Sequence, residues 1–392
     1  MRKGLVLLCL AYVLSQFFRA FLAVLTQVLE ADMGVTADDL AFASGMWFLA
    51  FALMQIPIGE ALDRVGPRRT AAVLLAVGGG GGAALFAMAQ SASAISWAMA
   101  LIGLGCAPVL MASYYIFARV YPAAMFATLG AVMIGVGSVG NLASAAPLSW
   151  AVLTFGWRET LWALAAVSVA VAAGLWVRVE DPPAVEGGSR GSVLDVLRLP
   201  ALWLILPMIF VSYAPAAGLR GLWVSPYLAD VYGATPAAIG TATLIMGLAM
   251  TLGIFAYGPL DRLLGTRKWV IFGGNAIVVV LCAFLVAVPQ PGYGMSVAIT
   301  ALIAMVGLTF PVIMAHGRSF IPAHLTGRGV TLMNLFSIGG VGVFQVITGK
   351  LHAGAVAAGG GAALPYQVIF ACFAVTTGIG LVIYLFSRDR LD

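Results

Sequence analysis

Apolar runs dominate the chain from end to end, each parted from the next by a short charged or Gly/Pro-rich break. The runs predict helices near 4–29, 39–58, 70–90, 95–118, 124–147 and 159–178, then a second six near 200–229, 236–257, 269–288, 295–316, 328–349 and 365–387. Each is close to the roughly 20 residues that a bilayer's hydrocarbon core requires. The only hydrophilic stretch of any length, Glu180 to Leu199, separates the two sets. The pattern predicts an all-α membrane protein of twelve transmembrane helices in two six-helix bundles, 1–179 and 200–392, joined by a linker at 180–199. The first run follows Arg2 and Lys3 but is too long for the apolar core of a signal peptide and lacks a small-residue cleavage site. It is read as a retained first helix.

Composition removes the soluble alternatives. Of the residues 62% are hydrophobic and 9% charged, against roughly a quarter charged in ordinary domains. Nothing is left over for a soluble catalytic domain, and the lipid bilayer is the solvent. Cys9, Cys106, Cys282 and Cys372 stand singly in apolar runs without nearby histidine, so neither a disulfide framework nor a metal site is implied, and no cofactor is expected. All Lys and Arg except Arg19, Arg158, Arg220 and Lys350 fall on one side if both termini are cytoplasmic, as retention of basic loops requires. The +5 net charge then reflects topology, and nucleic acid is not a partner. A monomer in the cytoplasmic (inner) membrane is expected.

The two sets of helices also repeat. "GEALDRVGPRR" (Gly59 to Arg69) follows the second helix and "GPLDRLLGTRK" (Gly258 to Lys268) the eighth, with Asp63 and Asp261 198 positions apart. These paired loops resemble the signature loop of the major facilitator superfamily, and helix count, half-repeat and linker extend the resemblance over the whole chain. "GVGSVGNLASAAP" (Gly135 to Pro147) looks like that family's glycine-rich packing motif in the fifth helix. The resemblance implies a secondary transporter working by alternating access, in which Asp63, Arg64, Asp261 and Arg262 act as gates through charge-assisted hydrogen bonds, joined by Arg119 and Arg318 after helices four and ten.

Two arginines fit no loop. Arg19 precedes Glu30 by 11 positions and Arg220 precedes Asp230 by 10, which puts each ~15 Å below the outer surface at 1.5 Å per residue, about halfway across the core. Each has a tyrosine seven positions earlier, Tyr12 and Tyr213, a spacing that shares one face of a continuous helix. A charge there costs at least ~2.5 kcal/mol and marks a functional candidate. All 15 acidic residues map to loops or helix ends, so no internal carboxylate is on offer. Two such cations facing one cavity about 10 Å apart would repel by ~1.7 kcal/mol at an effective dielectric of 20, and an anion between them reverses the sign. Arg19 and Arg220 are therefore expected to clamp a small anionic solute, carboxylate or phosphate ester, which guanidinium forks suit bidentately.

A narrower resemblance points the same way. "LRGLWVSPYLADV" (Leu219 to Val231) and "YVLSQFFRAF" (Tyr12 to Phe21) are similar to helices seven and one of the organophosphate:phosphate antiporter family, which implies that Arg19 and Arg220 are anion ligands. The sequence departs from that family in having Ala20 after the first arginine and no histidine in helix five, which puts an organic carboxylate at least level with sugar-phosphate exchange. Gln16, Asn141 and Gln345 are further candidate cavity groups, the last two in corresponding glycine-rich stretches. Trp47, Trp97, Trp150, Trp157 and Trp223 are read as interface anchors or packing residues. His316, His324 and His352 map to helix ends or loops, so the coupling partner is expected to be a proton carried with the substrate or a counter-transported anion. The alternative reading is an exporter of hydrophobic drugs or metabolites.

Overall fold

The computed structural model describes residues 2–121, 123–182, 193–322 and 325–391. Every regular element among them is helical. Ten helices are individually long and apolar enough to cross a membrane, and two bent pairs bring the number to 12 when each pair counts as one span. In chain order they are α1 (Gly4–Phe18 with Leu22–Met33), α2 (Ala37–Leu62), α3 (Pro67–Ala87), α4 (Ala92–Phe117), α5 (Val132–Ala143 with Ala146–Phe155), α6 (Trp157–Arg178), α7 (Pro200–Tyr232), α8 (Pro236–Tyr257), α9 (Lys268–Ala287), α10 (Tyr293–Arg318), α11 (Arg328–Ala358) and α12 (Leu364–Tyr384). The chain divides into two compact units, Met1–Gly188 and Ser189–Asp392.

In the first unit, glycines let backbones touch. A side chain at Gly140 of α5 would put its Cβ 1.9 Å from the Val13 carbonyl oxygen of α1, and one at Gly137 would lie 2.4 Å from the Tyr12 ring. Small residues substitute for a hydrophobic driving force between membrane helices, because close approach maximises dispersion contacts. The second unit repeats the device, with a Cβ at Gly340 of α11 falling 1.9 Å from the Phe210 carbonyl oxygen of α7. On the outside, Trp97, Trp150, Leu252, Phe255 and Val280 are exposed, the apolar surface expected to meet lipid tails.

Three boundaries differ from the sequence reading. Helix five does not end at Pro147. It bends by 42° and resumes at Ala146, with Pro147 in the first turn, where a missing N–H costs nothing. The helix containing α8 continues through Pro259 to Leu264. Helix eleven runs on to Ala358, and His352, read as a helix end, is buried within it. His316 is also fully buried; His324 and half of the linker, 183–192, lie outside the described residues.

Candidate functional site: two arginines at helix interruptions

Tyr12, Gln16 and Arg19 all lie on α1, but Arg19 does not continue the helix. The α-helical pattern stops at Phe18, residues 19–21 form a turn, and the axis bends by 50° before Leu22. Neither proline nor glycine marks the spot, so nothing in "FFRAF" announces it. The bend frees Arg19 from the single face that the seven-residue spacing would give it. Its guanidinium carbon sits 5.6 Å from the centroid of Trp47 and 5.5 Å from that of Phe51, two rings of α2 stacked 5.1 Å apart. Such cation–π contacts supply about 0.5–2 kcal/mol each depending on desolvation. Among the described residues Arg19 has no carboxylate and no hydrogen-bond partner, and its Nε is buried and unsatisfied. Beside it the Gln16 amide donates to the Tyr12 hydroxyl at 2.7 Å, while the Gln16 carbonyl oxygen is buried without a donor. Asn141, half-buried on α5, follows the glycine that touches α1. The sequence reading gave Trp47 as an interface anchor or a packing residue; it is buried and packs, with Phe51, against the Arg19 guanidinium.

Arg220 occupies the matching position of α7 and is 2% exposed. Here too the helix is irregular, because Leu219–Trp223 form a π-helical turn, a local widening that recurs at functional sites. Every residue from Val211 to Leu228 is buried. Tyr213 lies about two turns back along α7, its ring 6.2 Å from Phe310. Gln345 of α11 donates to the Gly218 carbonyl at 3.4 Å, and Trp223 donates through Nε1 to the Thr348 hydroxyl at 2.9 Å. The repeat thus carries into structure: each unit sets one arginine on an interrupted helix.

The motif ends of the units are built alike as well. In the first, Asp181 accepts from the Arg68 N–H at 2.7 Å and pairs with Arg68 Nε at 3.4 Å, capping the start of α3. Gly66 precedes it at φ +96, where a Cβ would collide with the Asp181 carboxylate at 2.8 Å. In the second, Asp389 accepts from the N–H groups of Arg267 (3.2 Å) and Lys268 (3.0 Å) and from the Thr266 hydroxyl, capping the start of α9. Each cap comes from the tail of the last helix of its unit and satisfies orphan donors at a positive dipole end. Neither acid was singled out in the sequence, because capping by a tail leaves no local signature.

Of the candidate gates, Asp261 is 7% exposed and pairs with Arg267 at 3.1 Å; Arg262, the expected member, is exposed. Arg64 pairs with Glu60 at 2.8 Å on an open surface. Arg119 is exposed and stacks 3.7 Å from the Tyr115 centroid, and Arg318 is exposed at the end of α10. The side chain of Asp63 lies outside the described residues.

Asp389 yields a pH prediction. Burial pushes its carboxyl up, but the Thr266 hydroxyl, the two N–H groups and nearby His316 together hold it below the usual carboxylate range. A depressed folded value contributes stability above the unfolded pKa, about 4, that is lost as pH falls through the lower folded value. Asp389 is exposed, which keeps the effect small. Unfolding temperature followed from pH 7 to 3 should fall more steeply in the wild type than in Asp389→Asn; equal slopes would contradict the cap.

The chain matches the Major Facilitator Superfamily over residues 8–344. It is 23% identical over 267 residues to the uncharacterized transporter YybO of Bacillus subtilis (strain 168), a match that covers 63% of this chain and 61% of that protein. Among solved structures it is similar to a bacterial homologue of the human lysosomal transporter Spinster, with TM-score 0.77 and 18% identity over 98% of this chain and 96% of that one. It is also similar to the nucleoside transporter NupG (D323A mutant), with TM-score 0.77 and 14% identity over 98% and 99% of the two chains. A D-xylose-proton symporter gives TM-score 0.77 and 15% identity over 98% of each chain. With its repeated motif loops, twelve spans and duplicated helix plan, the chain belongs to the Major Facilitator Superfamily and is a multi-pass secondary transporter.

Proposed function

We propose that this transporter moves a small organic anion, a carboxylate or phosphate ester, across the cytoplasmic membrane by alternating access, with Arg19 and Arg220 as the anion's ligands. The observation that carries this reading is Arg19 itself: a guanidinium on a broken helix, backed by two aromatic faces, with no acidic partner among the described residues. Aromatic backing stabilises the charge while leaving the planar N–H fork available for a carboxylate or phosphate. Arg220 supplies the equivalent group from the second unit. Tyr12, Gln16, Tyr213, Asn141 and Gln345 form the polar surroundings. The distribution of Lys and Arg supports cytoplasmic termini. A fold shared with nucleoside and xylose transporters does not fix the substrate, so the class proposed rests on the arginines.

Gating falls to the motif ends, with Asp63 and Asp261 as their centres. The Asp261–Arg267 pair is a lock that must open in each cycle, accompanied by Arg64, Arg262, Arg119 and Arg318. Asp261→Asn is expected to slow turnover several-fold while leaving substrate affinity within about three-fold, the pattern of an interaction that acts on conformational exchange rather than on binding. Uptake kinetics in proteoliposomes test it; a large loss of affinity at unchanged turnover would place Asp261 in the binding site instead. The substrate class is tested by uptake of benzoate, malate and glycerol 3-phosphate. Competition by lipophilic cations, with none by anions, would favour an exporter of hydrophobic compounds.

A further inference from the structure

Three buried polar atoms around the bend of α1 have no hydrogen-bond partner among the described residues: Nε of Arg19, Nε1 of Trp47 and Oε1 of Gln16. Two are donors and one is an acceptor. Gln16 and Arg19 stand three positions apart, and Ala20 and Phe21 still bond back to the Phe17 carbonyl at 3.1 and 3.2 Å, so the two side chains leave α1 about one turn apart. Trp47 is 1% exposed, and its ring centroid lies 5.6 Å from the Arg19 guanidinium carbon. The acceptor is held in place. Gln16 is 9% exposed and its amide N–H donates to the Tyr12 hydroxyl at 2.7 Å, which leaves Oε1 on the other edge of the amide. A Cβ at Gly137 of α5 would fall 2.4 Å from the Tyr12 ring and 3.5 Å from Gln16 Cγ, so α5 backs this pair closely.

A buried polar atom without a partner is costly, and a bare anion answers only part of this set. Carboxylate oxygens only accept, so they serve the Arg19 and Trp47 N–H groups and leave Gln16 Oε1 unpaired. We infer that Gln16 is a specificity-determining residue: its carbonyl oxygen accepts a hydrogen bond from a neutral donor on the solute beside the negative group, which makes the solute a hydroxy acid, in its simplest form a 2-hydroxycarboxylate. This assignment rests on the anion reading given above. A hydroxyl suits the position better than an ammonium, because the cation of an amino acid would stand near the Arg19 guanidinium and be repelled. The one-turn spacing of Gln16 and Arg19 calls for a donor close to the anionic group. An analogue that lacks the donor leaves the buried acceptor unpaired, and selection against it is correspondingly strong.

The experiment crosses charge with hydroxyl. Thermal-shift binding to purified full-length protein is measured for lactate, propionate, lactamide and propionamide, and for the larger mandelate, phenylacetate, mandelamide and phenylacetamide. In at least one set the hydroxy acid should bind the wild type about ten-fold or more tightly than the acid lacking the hydroxyl. In Gln16→Met, which keeps the length of the side chain and removes the acceptor, that ratio should fall to about two-fold or less, chiefly through weaker binding of the hydroxy acid. A ratio near one in the wild type, a comparison that needs no variant to fold, would overturn the inference. So would a preference that survives in Gln16→Met, or no response to any of these compounds. If both acids of a set bind equally and lose binding in Arg19→Gln, the anion reading stands and the role of Gln16 falls. If lactamide or mandelamide binds as tightly as its acid, and its advantage over the amide lacking the hydroxyl disappears in Gln16→Met, the anion reading falls and the Gln16 acceptor stands.

Discussion

Arg19→Gln should reduce anion uptake in proteoliposomes by about 100-fold or more while leaving the empty protein as stable as the wild type or more so. The size follows from what is lost. A bidentate guanidinium–carboxylate contact comprises two charge-assisted hydrogen bonds, each worth about 1.5–3 kcal/mol in a desolvated setting, and 1.4 kcal/mol is a factor of ten. The sign of the stability change follows from the empty site. Among the described residues Arg19 there gains the faces of Trp47 and Phe51, against the cost of holding a charge half-way across the bilayer. Glutamine forfeits the first and relieves the second. A purely structural arginine would behave in the opposite way, losing stability and transport together. Arg19→Lys separates charge from geometry, since an ammonium keeps the point charge and loses the fork; intermediate uptake is expected. Full transport by Arg19→Gln would remove Arg19 from the site.

Gly140→Ala should be nearly as damaging by a different route. The added Cβ would lie 1.9 Å from the Val13 carbonyl oxygen, 2.8 Å from its carbon and 3.1 Å from the Phe17 nitrogen. These are backbone atoms, so no rotamer change relieves the overlap and α1 must move away from α5. Overpacking of this kind costs about 1–3 kcal/mol. The displaced segment carries Tyr12, Gln16 and Arg19, so the ligand shell is misplaced as well as destabilised. An unfolding temperature lower by about 5 °C and uptake reduced about ten-fold are expected. Gly135→Ala is the control on the same helix, because its Cβ would have nothing within 4 Å. There alanine should be neutral or slightly stabilising through its better helix propensity. Equal effects of the two substitutions would mean that the α1–α5 contact does not position the site.

The parts of this architecture that could be read from the sequence are those written in one dimension. Apolar runs and their breaks locate the ten spans and the two bent pairs found among the described residues, since burial in lipid forces the backbone into helices. The duplicated motif loops and the Tyr12/Arg19 and Tyr213/Arg220 pairs are visible as matching strings. What could not be read depends on contacts between distant segments. The break at Arg19 has no proline or glycine to mark it, and the π-turn at Arg220 is invisible to any periodicity argument. Pro147 suggested an end to helix five because proline cannot sit in a helix interior, yet the helix restarts just before it and the proline falls in a permitted first turn. His316 and His352 looked like exposed helix-end or loop residues because polar side chains usually close an apolar run; His316 does lie in the last turn of its helix. Here His316 bonds to Tyr384 and to the Arg388 carbonyl, and His352 stacks on Trp223, so both stay inside. Trp47 and Phe51, which flank the Arg19 guanidinium, lie in a mostly apolar helix whose sequence does not mark them out.

The central claim, that Arg19 recognises a negative charge, is tested most directly by thermal-shift binding with charged and neutral isosteres. Purified wild type and Arg19→Gln are each titrated with benzoate against benzamide, and glycerol 3-phosphate against glycerol. At least one anion should raise the unfolding temperature of the wild type, its neutral isostere should not, and the shift should vanish in Arg19→Gln. A neutral isostere that stabilises as well as its anion, or an anion shift that survives in Arg19→Gln, would contradict the account.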